Sequence, residues 1–149
     1  MAKSRRAAEF LKYHSLSIAS IGILILWLAL YTRSSPDTHW GAFFGNAIAD
    51  WSGSVVLIIG TKFLIEVGSA ESRTVHGHWK NAAMNFLHRH SLLLFLFISG
   101  AGWVWLYSRL NAGSKWGQVV ASLTSEWIQM AGLVFLTKEL LERGSRESR

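Results

Sequence analysis

The chain has 149 residues, of which half are hydrophobic and 16% are charged, with eight Trp and eight Phe. This composition is typical of a chain that is dissolved in lipid. The absence of cysteine excludes disulfides, thiolate ligands and cysteine nucleophiles. The net charge of +6 does not indicate nucleic-acid binding, because the cations lie at the ends of apolar segments and not on one base-reading face. We therefore expect a lipid bilayer and no nucleic acid as the surroundings.

Four apolar segments follow one another, and each approaches the ~20 residues that cross a ~30 Å hydrocarbon core. They cover residues 15–31, 43–65, 92–107 and 119–141. Twelve of the 15 Lys and Arg lie before the first segment, from the last turn of the second segment up to the third, or from the last turn of the fourth segment onward, and three lie in the two short loops. This positive-inside bias predicts that both termini and the central linker are cytoplasmic. The predicted fold class is an all-α membrane protein with four transmembrane helices.

The second half of the chain repeats the first. Residues 10–73 align without a gap on residues 86–149, and 22 of the 64 pairs are identical. We therefore divide the chain into a first two-helix repeat with a basic amphipathic N-terminus (1–75), a cytoplasmic linker or interfacial helix (76–85) and a second two-helix repeat (86–149). Because each repeat begins and ends on the same side, the sequence predicts parallel repeats related by a pseudo-twofold axis along the membrane normal. Inverted-repeat transporter architectures are excluded.

Polar residues recur near helical spacing in the second and fourth segments. Asp50 aligns with Glu126, and each acid is followed by a tryptophan. An ionised carboxylate in the bilayer centre costs about 2.5–3.5 kcal/mol, so it normally faces a bundle interior, a partner or water. One interpretation is a proton or cation path between the repeats; the other places both acids at the outer headgroup level. The predicted path residues are Asn46, Asp50, Ser54, Thr61, Ser122, Glu126, Gln129 and Thr137.

Two further groups recur beside these residues. Acid–base pairs four residues apart close the even-numbered segments, and we expect solvated ion pairs at the helix ends, each contributing a few tenths of a kcal/mol. Together with the two tryptophans they are the predicted gating or interface residues: Trp51, Trp127, Lys62, Glu66, Lys138 and Glu142.

Four histidines are candidate ligands of a metal or haem. His14 and His90 are repeat-equivalent and precede the odd-numbered segments, and His76 and His78 lie in the linker. A His-x-His spacing without Cys or a carboxylate partner is a weak signal, so the main prediction is that no cofactor is bound. The sequence contains no nucleophile–base triad and no phosphate loop, which favours a protein that is not an enzyme.

The second half also resembles a known family. The residues that carry the resemblance are Ser125-Glu126-Trp127-Ile128-Gln129-Met130, Leu136-Thr137 and Gly144-Ser145-x-Glu147-Ser148-Arg149. They are similar to an uncharacterised family of small bacterial four-helix inner-membrane proteins with duplicated halves, each ending in Gly-Ser-x-Glu-Ser. The resemblance implies the fold and a location in the bacterial inner membrane, and it implies no activity. Gly53 aligns with Gln129, so the first half departs from the family's motif.

The leading functional prediction is a small channel or transporter-like protein. The alternative is a non-catalytic accessory or assembly subunit of a larger membrane complex, and a minor alternative is a haem or metal redox protein. We also expect self-association, because eight Trp and the small-residue runs Gly100-Ala101-Gly102 and Ala131-Gly132 offer packing surfaces between helices.

Overall fold

The computed structural model describes residues 9–71 and 81–140. The helices are α1 (Ser15–Arg33), α2 (His39–Gly60), α3 (Ala82–Arg89), α4 (Ser91–Arg109) and α5 (Lys115–Glu139). Four of them, α1, α2, α4 and α5, are long and apolar enough to cross a membrane, which confirms an all-helical fold with four such helices for the residues that the structure describes. The predicted site residues His76, His78 and Glu142 lie outside the described residues.

The four long helices form a row in the order α1, α2, α5, α4. Helix α1 packs on α2, α2 packs on α5, and α5 packs on α4. The two central helices run in the same direction, because Gly45 lies against Val119 and, two turns further on, Gly53 lies against Glu126. We call the end with the two short loops the loop end, and the opposite end, where α2 and α5 finish, the linker end.

Helix α5 is the centre of the core. Its buried apolar residues recur every three or four positions, so they form one stripe along the helix: Val119, Leu123, Trp127, Met130 and Val134. Residues of α2 and α4, including Ile48 and Leu96, pack against this stripe from its two sides. The arrangement places α2 and α5 back to back in the middle and leaves α1 and α4 at the edges.

The two short loops close in the same way. Thr38 and Ser114 cap α2 and α5, and each hydroxyl accepts a hydrogen bond from the backbone N–H of Gly41 or Gly117 at 3.0 Å. A Cβ atom at either glycine would overlap a carbonyl oxygen of the preceding loop. The repeated Trp-Gly pairs therefore mark the first turn of each helix, where the loop backbone approaches too closely for a side chain.

The helix bounds correct the predicted segments. Helices α2 and α5 begin about one turn earlier than the predicted segments do, and α2 ends at Gly60, five residues before the predicted end at Ile65. Residues 61–71, called the connecting segment below, form a turn and then an irregular chain.

The odd-numbered spans are each preceded by a separate helical stretch. His14 and His90 interrupt the helix with nearly the same backbone angles, φ −116° and ψ 10° against φ −119° and ψ 20°. Their rings lie on Phe10 and Phe86, with centroid distances of 4.5 and 4.7 Å. Helix α3 has no buried residue, and it lies partly in the predicted linker 76–85 and partly in the predicted second repeat.

Candidate polar site between the two central helices

Six of the predicted path residues lie on neighbouring faces of α2 and α5. We call them the polar face: Asn46, Asp50, Ser54, Ser122, Glu126 and Gln129. The three residues of α2 are four positions apart, so they follow one side of that helix, and all three are exposed. On α5, Gln129 is exposed and the other two are partly exposed. The polar face thus opens to the outside of the row.

Direct contacts join the two helices at this face. The Ser122 hydroxyl donates a hydrogen bond to Asn46 Oδ1 at 2.8 Å, and these two residues are 76 positions apart, as the sequence alignment has them. Gly53 gives the Glu126 side chain its room, because a Cβ atom at Gly53 would overlap the carboxyl group. The missing side chain of Gly53 is therefore part of how Glu126 is placed.

The two carboxylates lie near the middle of their helices. Asp50 is residue 12 of the 22 in α2, and Glu126 is residue 12 of the 25 in α5. At 1.5 Å per residue, each acid is about 16 Å along the axis from the loop end of its helix. The Glu126 carboxyl group lies against Gly53, which follows Asp50 by less than one turn of α2, so the two acids are neighbours across the helix pair. Like charges at such a place raise each other's energy, so a proton, a cation or water is the natural companion of this pair.

The two tryptophans beside the acids have different surroundings. Trp127 is buried, its indole N–H donates to the Ser99 hydroxyl at 2.8 Å, and its ring lies 5.6 Å from that of Trp103. Trp51 is half-buried on α2. Trp127 therefore joins α4 to α5.

The last two predicted path residues lie at the linker end, away from the polar face. Thr61 caps α2 and its hydroxyl donates to the Leu57 carbonyl. Thr137 is buried and shares a hydrogen bond of 2.9 Å with the Ser69 hydroxyl of the connecting segment. Thr137 follows Glu126 by three helical turns, so the structure joins six of the eight predicted residues and not these two.

The predicted solvated pair of Lys62 and Glu66 is wrong. Because α2 ends at Gly60, the two residues do not lie one turn apart on a helix. Lys62 donates to the Ser17 hydroxyl at 2.8 Å, and Glu66 has no exposed surface. A sequence signal for this burial exists, since Glu66 stands within an apolar run, between Ile65 and Val67.

Glu66 forms a buried charge cluster with two residues of the second half. His90 Nδ1 lies 2.6 Å from Glu66 Oε1, and Lys138 Nζ lies 3.2 Å from the same oxygen. The sequence predicts His90 as a possible metal ligand and Lys138 as part of a solvated pair, but both contact the buried Glu66. Within residues 9–71 and 81–140, no three His or acidic side chains are grouped so that they could hold a metal ion.

An apolar groove of about 430 Å³ separates α4 from α5 on one side of the row. The predicted small-residue runs open it, because Gly100, Ala101, Ala131 and Gly132 all line its walls. The aligned positions of the first half hold larger side chains, namely Leu24, Ile25, Val55 and Val56. The groove is therefore a feature of the second half.

The described part of the chain is a helical protein with four helices that are long and apolar enough to cross a membrane. No family model, curated protein or solved structure matches the chain. The assignment of a function thus rests on the polar face and on its chemistry: two carboxylates, two amides and two hydroxyls.

Proposed function

We propose that the protein is a small channel or transporter-like membrane protein, and that the polar face lines a path for protons or monovalent cations. The observation that carries this proposal is the pair Asp50 and Glu126, near the middle of two parallel apolar helices. An ionised carboxylate at such a depth costs about 2.5–3.5 kcal/mol unless it is hydrated or neutralised. Exchange of a proton or a cation with this pair is the chemistry that the two groups support.

The path is completed by a second copy of the chain. Helices α2 and α5 pack directly on each other, so the polar face opens to the outside of the row and not into a central crevice. In a monomer these side chains would meet lipid. A second copy that covers the face replaces lipid by polar groups and water, which supports the expected homo-oligomer.

The proposal also includes the topology and the location. The two hairpins are parallel tandem repeats with both termini in the cytoplasm, and the membrane is the bacterial inner membrane. The positive-inside charge bias, the parallel course of α2 and α5 and the contact between aligned residues Asn46 and Ser122 support the arrangement. The location is supported by the family resemblance alone.

Flux measurements on proteoliposomes test the path. With a pH-sensitive dye or a cation-sensitive dye inside the vesicles, we expect the purified protein to conduct protons or a monovalent cation. Asp50→Asn and Glu126→Gln should each reduce the flux at least tenfold. Glu139→Gln is the matched control, because it removes an exposed carboxylate from the linker end of α5. A folded protein whose vesicles conduct no more than empty ones contradicts the proposal.

Cysteine cross-linking tests the second copy. Since the chain contains no cysteine, single substitutions report on one position at a time. Ser54→Cys and Ser125→Cys are exposed positions on or beside the polar face, and each should form an intermolecular disulfide in membranes. Ile18→Cys, an exposed position on the edge helix α1, should cross-link at least fivefold less. Equal cross-linking at all three positions would show that copies do not meet at this face.

The alternative function, an accessory subunit of a membrane complex, is favoured by one observation. The groove between α4 and α5 is confined to the second half, and such an asymmetry suits a partner helix that contacts one half only. In this case a different protein covers part of the chain in the membrane. Purification from native membranes in mild detergent that returns only the protein itself counts against this function.

A further inference from the structure

A lysine without a carboxylate partner lies at the linker end, between α1 and the connecting segment. Lys62 follows the last residue of α2 by two positions, and its Nζ atom donates a hydrogen bond to the Ser17 hydroxyl at 2.8 Å. The ion pairs among the described residues do not include Lys62. In that part of the chain, no acidic side chain therefore balances the charge of this ammonium group.

The aligned lysine of the second half has different surroundings. Lys138 lies 3.2 Å from the buried carboxylate of Glu66. The residue aligned with Ser17 is Leu93, which belongs to the apolar core. The second half thus has an acid and an apolar side chain where the first half has a hydroxyl group. The pair of Lys62 and Ser17 is a feature of the first half alone, so the duplication of the chain does not account for it.

The pair still has hydrogen-bond donors to offer. A lysine ammonium group has three N–H donors, and one of those of Lys62 is used by Ser17. Ser17 is 8% exposed, and its hydroxyl accepts from Lys62, so its own proton is left to donate. A phosphate oxygen accepts strong, charge-assisted hydrogen bonds from such donors. The geometry therefore favours an oxyanion as the ligand.

The pair lies where the spans begin and end. Ser17 is the third residue of α1, and Lys62 comes directly after α2. Both helices are long and apolar enough to cross a membrane, so their ends lie at the level where the hydrocarbon core meets the headgroups. The oxyanion that is abundant at this level is the phosphate group of a phospholipid.

Exposed aromatic side chains lie beside the pair. Phe63, the neighbour of Lys62, is 73% exposed, and Tyr13, about one turn before Ser17, is 79% exposed. Neither residue belongs to one of the four spans. Aromatic rings at the membrane interface contact the region between headgroups and acyl chains. A lipid that places its phosphate on Lys62 can also cover these rings.

The charge of the linker end favours an anionic lipid. The sequence has twelve Lys and Arg but only six acids in three stretches, namely before α1, from Lys62 to the start of α4, and from Lys138 onward. A basic surface beside the ends of membrane spans attracts a leaflet of anionic phospholipids.

From these contacts we infer that Lys62 and Ser17 form a binding site for the phosphate group of an anionic phospholipid in the leaflet at the linker end. Lys62 contributes the charge and two N–H donors, and the Ser17 hydroxyl contributes a third donor. Phe63 and Tyr13 contact the glycerol and the upper part of the acyl chains. The site contains no residue of the polar face, so it does not depend on what that face conducts.

Native mass spectrometry of the purified protein in detergent micelles measures this site, with phosphatidylglycerol as the probe. We expect its dissociation constant to be about tenfold lower than that of diacylglycerol, which has the same acyl chains and no phosphate. Inorganic phosphate at the same concentration should not displace the lipid, because it lacks the apolar contacts. Equal binding of diacylglycerol, or displacement by inorganic phosphate, overturns the inference.

Substitutions at the pair distinguish a site from a general attraction. Lys62→Gln should raise the dissociation constant of phosphatidylglycerol about tenfold, Ser17→Ala about threefold, and Lys62→Arg less than about twofold. Lys12→Gln is the matched control, because it removes an exposed cation at the same end of the protein, and it should change the constant by less than about twofold. Equal losses after Lys12→Gln and Lys62→Gln would show that only the overall charge attracts the lipid, and circular dichroism checks that each variant is folded.

An acid of the chain itself is the competitor that must be tested. Glu142 is aligned with Glu66 and lies outside the described residues. Glu142→Gln should leave the dissociation constant of phosphatidylglycerol unchanged. A clearly tighter binding of the lipid after this substitution would show that a carboxylate of the chain, and not a phospholipid, is the partner of Lys62.

Discussion

The polar face and the buried cluster both bring carboxylates to the meeting of the two halves, but they neutralise charge in opposite ways. Glu66 is fully buried and has His90 and Lys138 within 3.2 Å. Asp50 and Glu126 lie toward the outside of the row, and the polar face contains no cationic residue. In the cluster, cationic side chains of the same chain lie against the carboxylate, whereas the two carboxylates of the polar face have no cation among the residues of that face.

This difference distinguishes charged residues that stabilise the fold from charged residues that serve a function. A charge that the chain itself compensates contributes to how the halves are held together, because removing His90 or Lys138 leaves the buried Glu66 carboxylate with less compensation. A charge that the chain leaves for something else to compensate marks the place where a proton, an ion, water or another chain must enter. We therefore expect substitutions in the cluster to change stability and substitutions in the polar face to change transport.

The largest effect is expected from removing the carboxylate of the cluster. Glu66→Ala leaves His90 and Lys138 facing an empty buried space, so the free energy of unfolding should fall by about 3–5 kcal/mol. Asp50→Ala removes an exposed acid that is costly at this depth in the membrane, so it should not lower the free energy of unfolding. Unfolding by SDS in mixed micelles, followed by circular dichroism, measures both. Equal losses at the two positions would show that burial does not distinguish these acids.

The next largest effect concerns the room that Gly53 leaves for Glu126. Gly53→Leu places a branched side chain where the Glu126 carboxyl group lies, so α2 and α5 must separate, at a cost of about 1–3 kcal/mol. Gly22→Leu is the matched control, because no atom lies within 4 Å of a Cβ built there. The same titration compares the two variants, and a similar stability of both would mean that Glu126 can leave its place without cost.

The sequence predicts the class of fold well because the long helices are defined by local properties. Hydropathy and length mark four apolar segments, each of which forms a helix long enough to cross a membrane, and the Trp-Gly pairs mark the start of α2 and α5. The end of α2 was predicted five residues too late, because Leu64 and Ile65 continue an apolar run. Ile65 is buried, and its carbonyl accepts a hydrogen bond from Leu92 at the start of α4. This contact between distant parts of the chain leaves no mark in the local pattern.

The polar site was predictable for the same reason, and the cluster was not. Residues four apart on one helix share a face by geometry alone, which is why Asn46, Asp50 and Ser54 were found together. Glu66 and Lys138 are 72 positions apart, and only the packing of the connecting segment brings them together. The sequence signal for the cluster is the position of the charged Glu66 within an apolar run.

A smaller effect is expected from the hydroxyl groups beside the cluster. Thr137→Val keeps the shape of the side chain but removes the hydrogen bond to Ser69 in a fully buried place, so the free energy of unfolding should fall by about 1–2 kcal/mol. Thr61→Val, at the aligned position, removes only a bond to a carbonyl of its own helix and should cost less. If both variants lose the same stability, the contact between Thr137 and the connecting segment contributes nothing.

The smallest effect is expected where the two central helices meet on the polar face. Ser122→Ala removes the hydrogen bond to Asn46, and hydrogen bonds between membrane helices contribute about 0.6 kcal/mol on average. A double-mutant cycle with Asn46→Ala measures this pair alone, and the coupling energy should be close to that value. A coupling several times larger would mean that the polar face, like the buried cluster, holds the halves together. In that case the contrast between a structural and a functional region would be lost, because both would stabilise the fold through contacts within one chain.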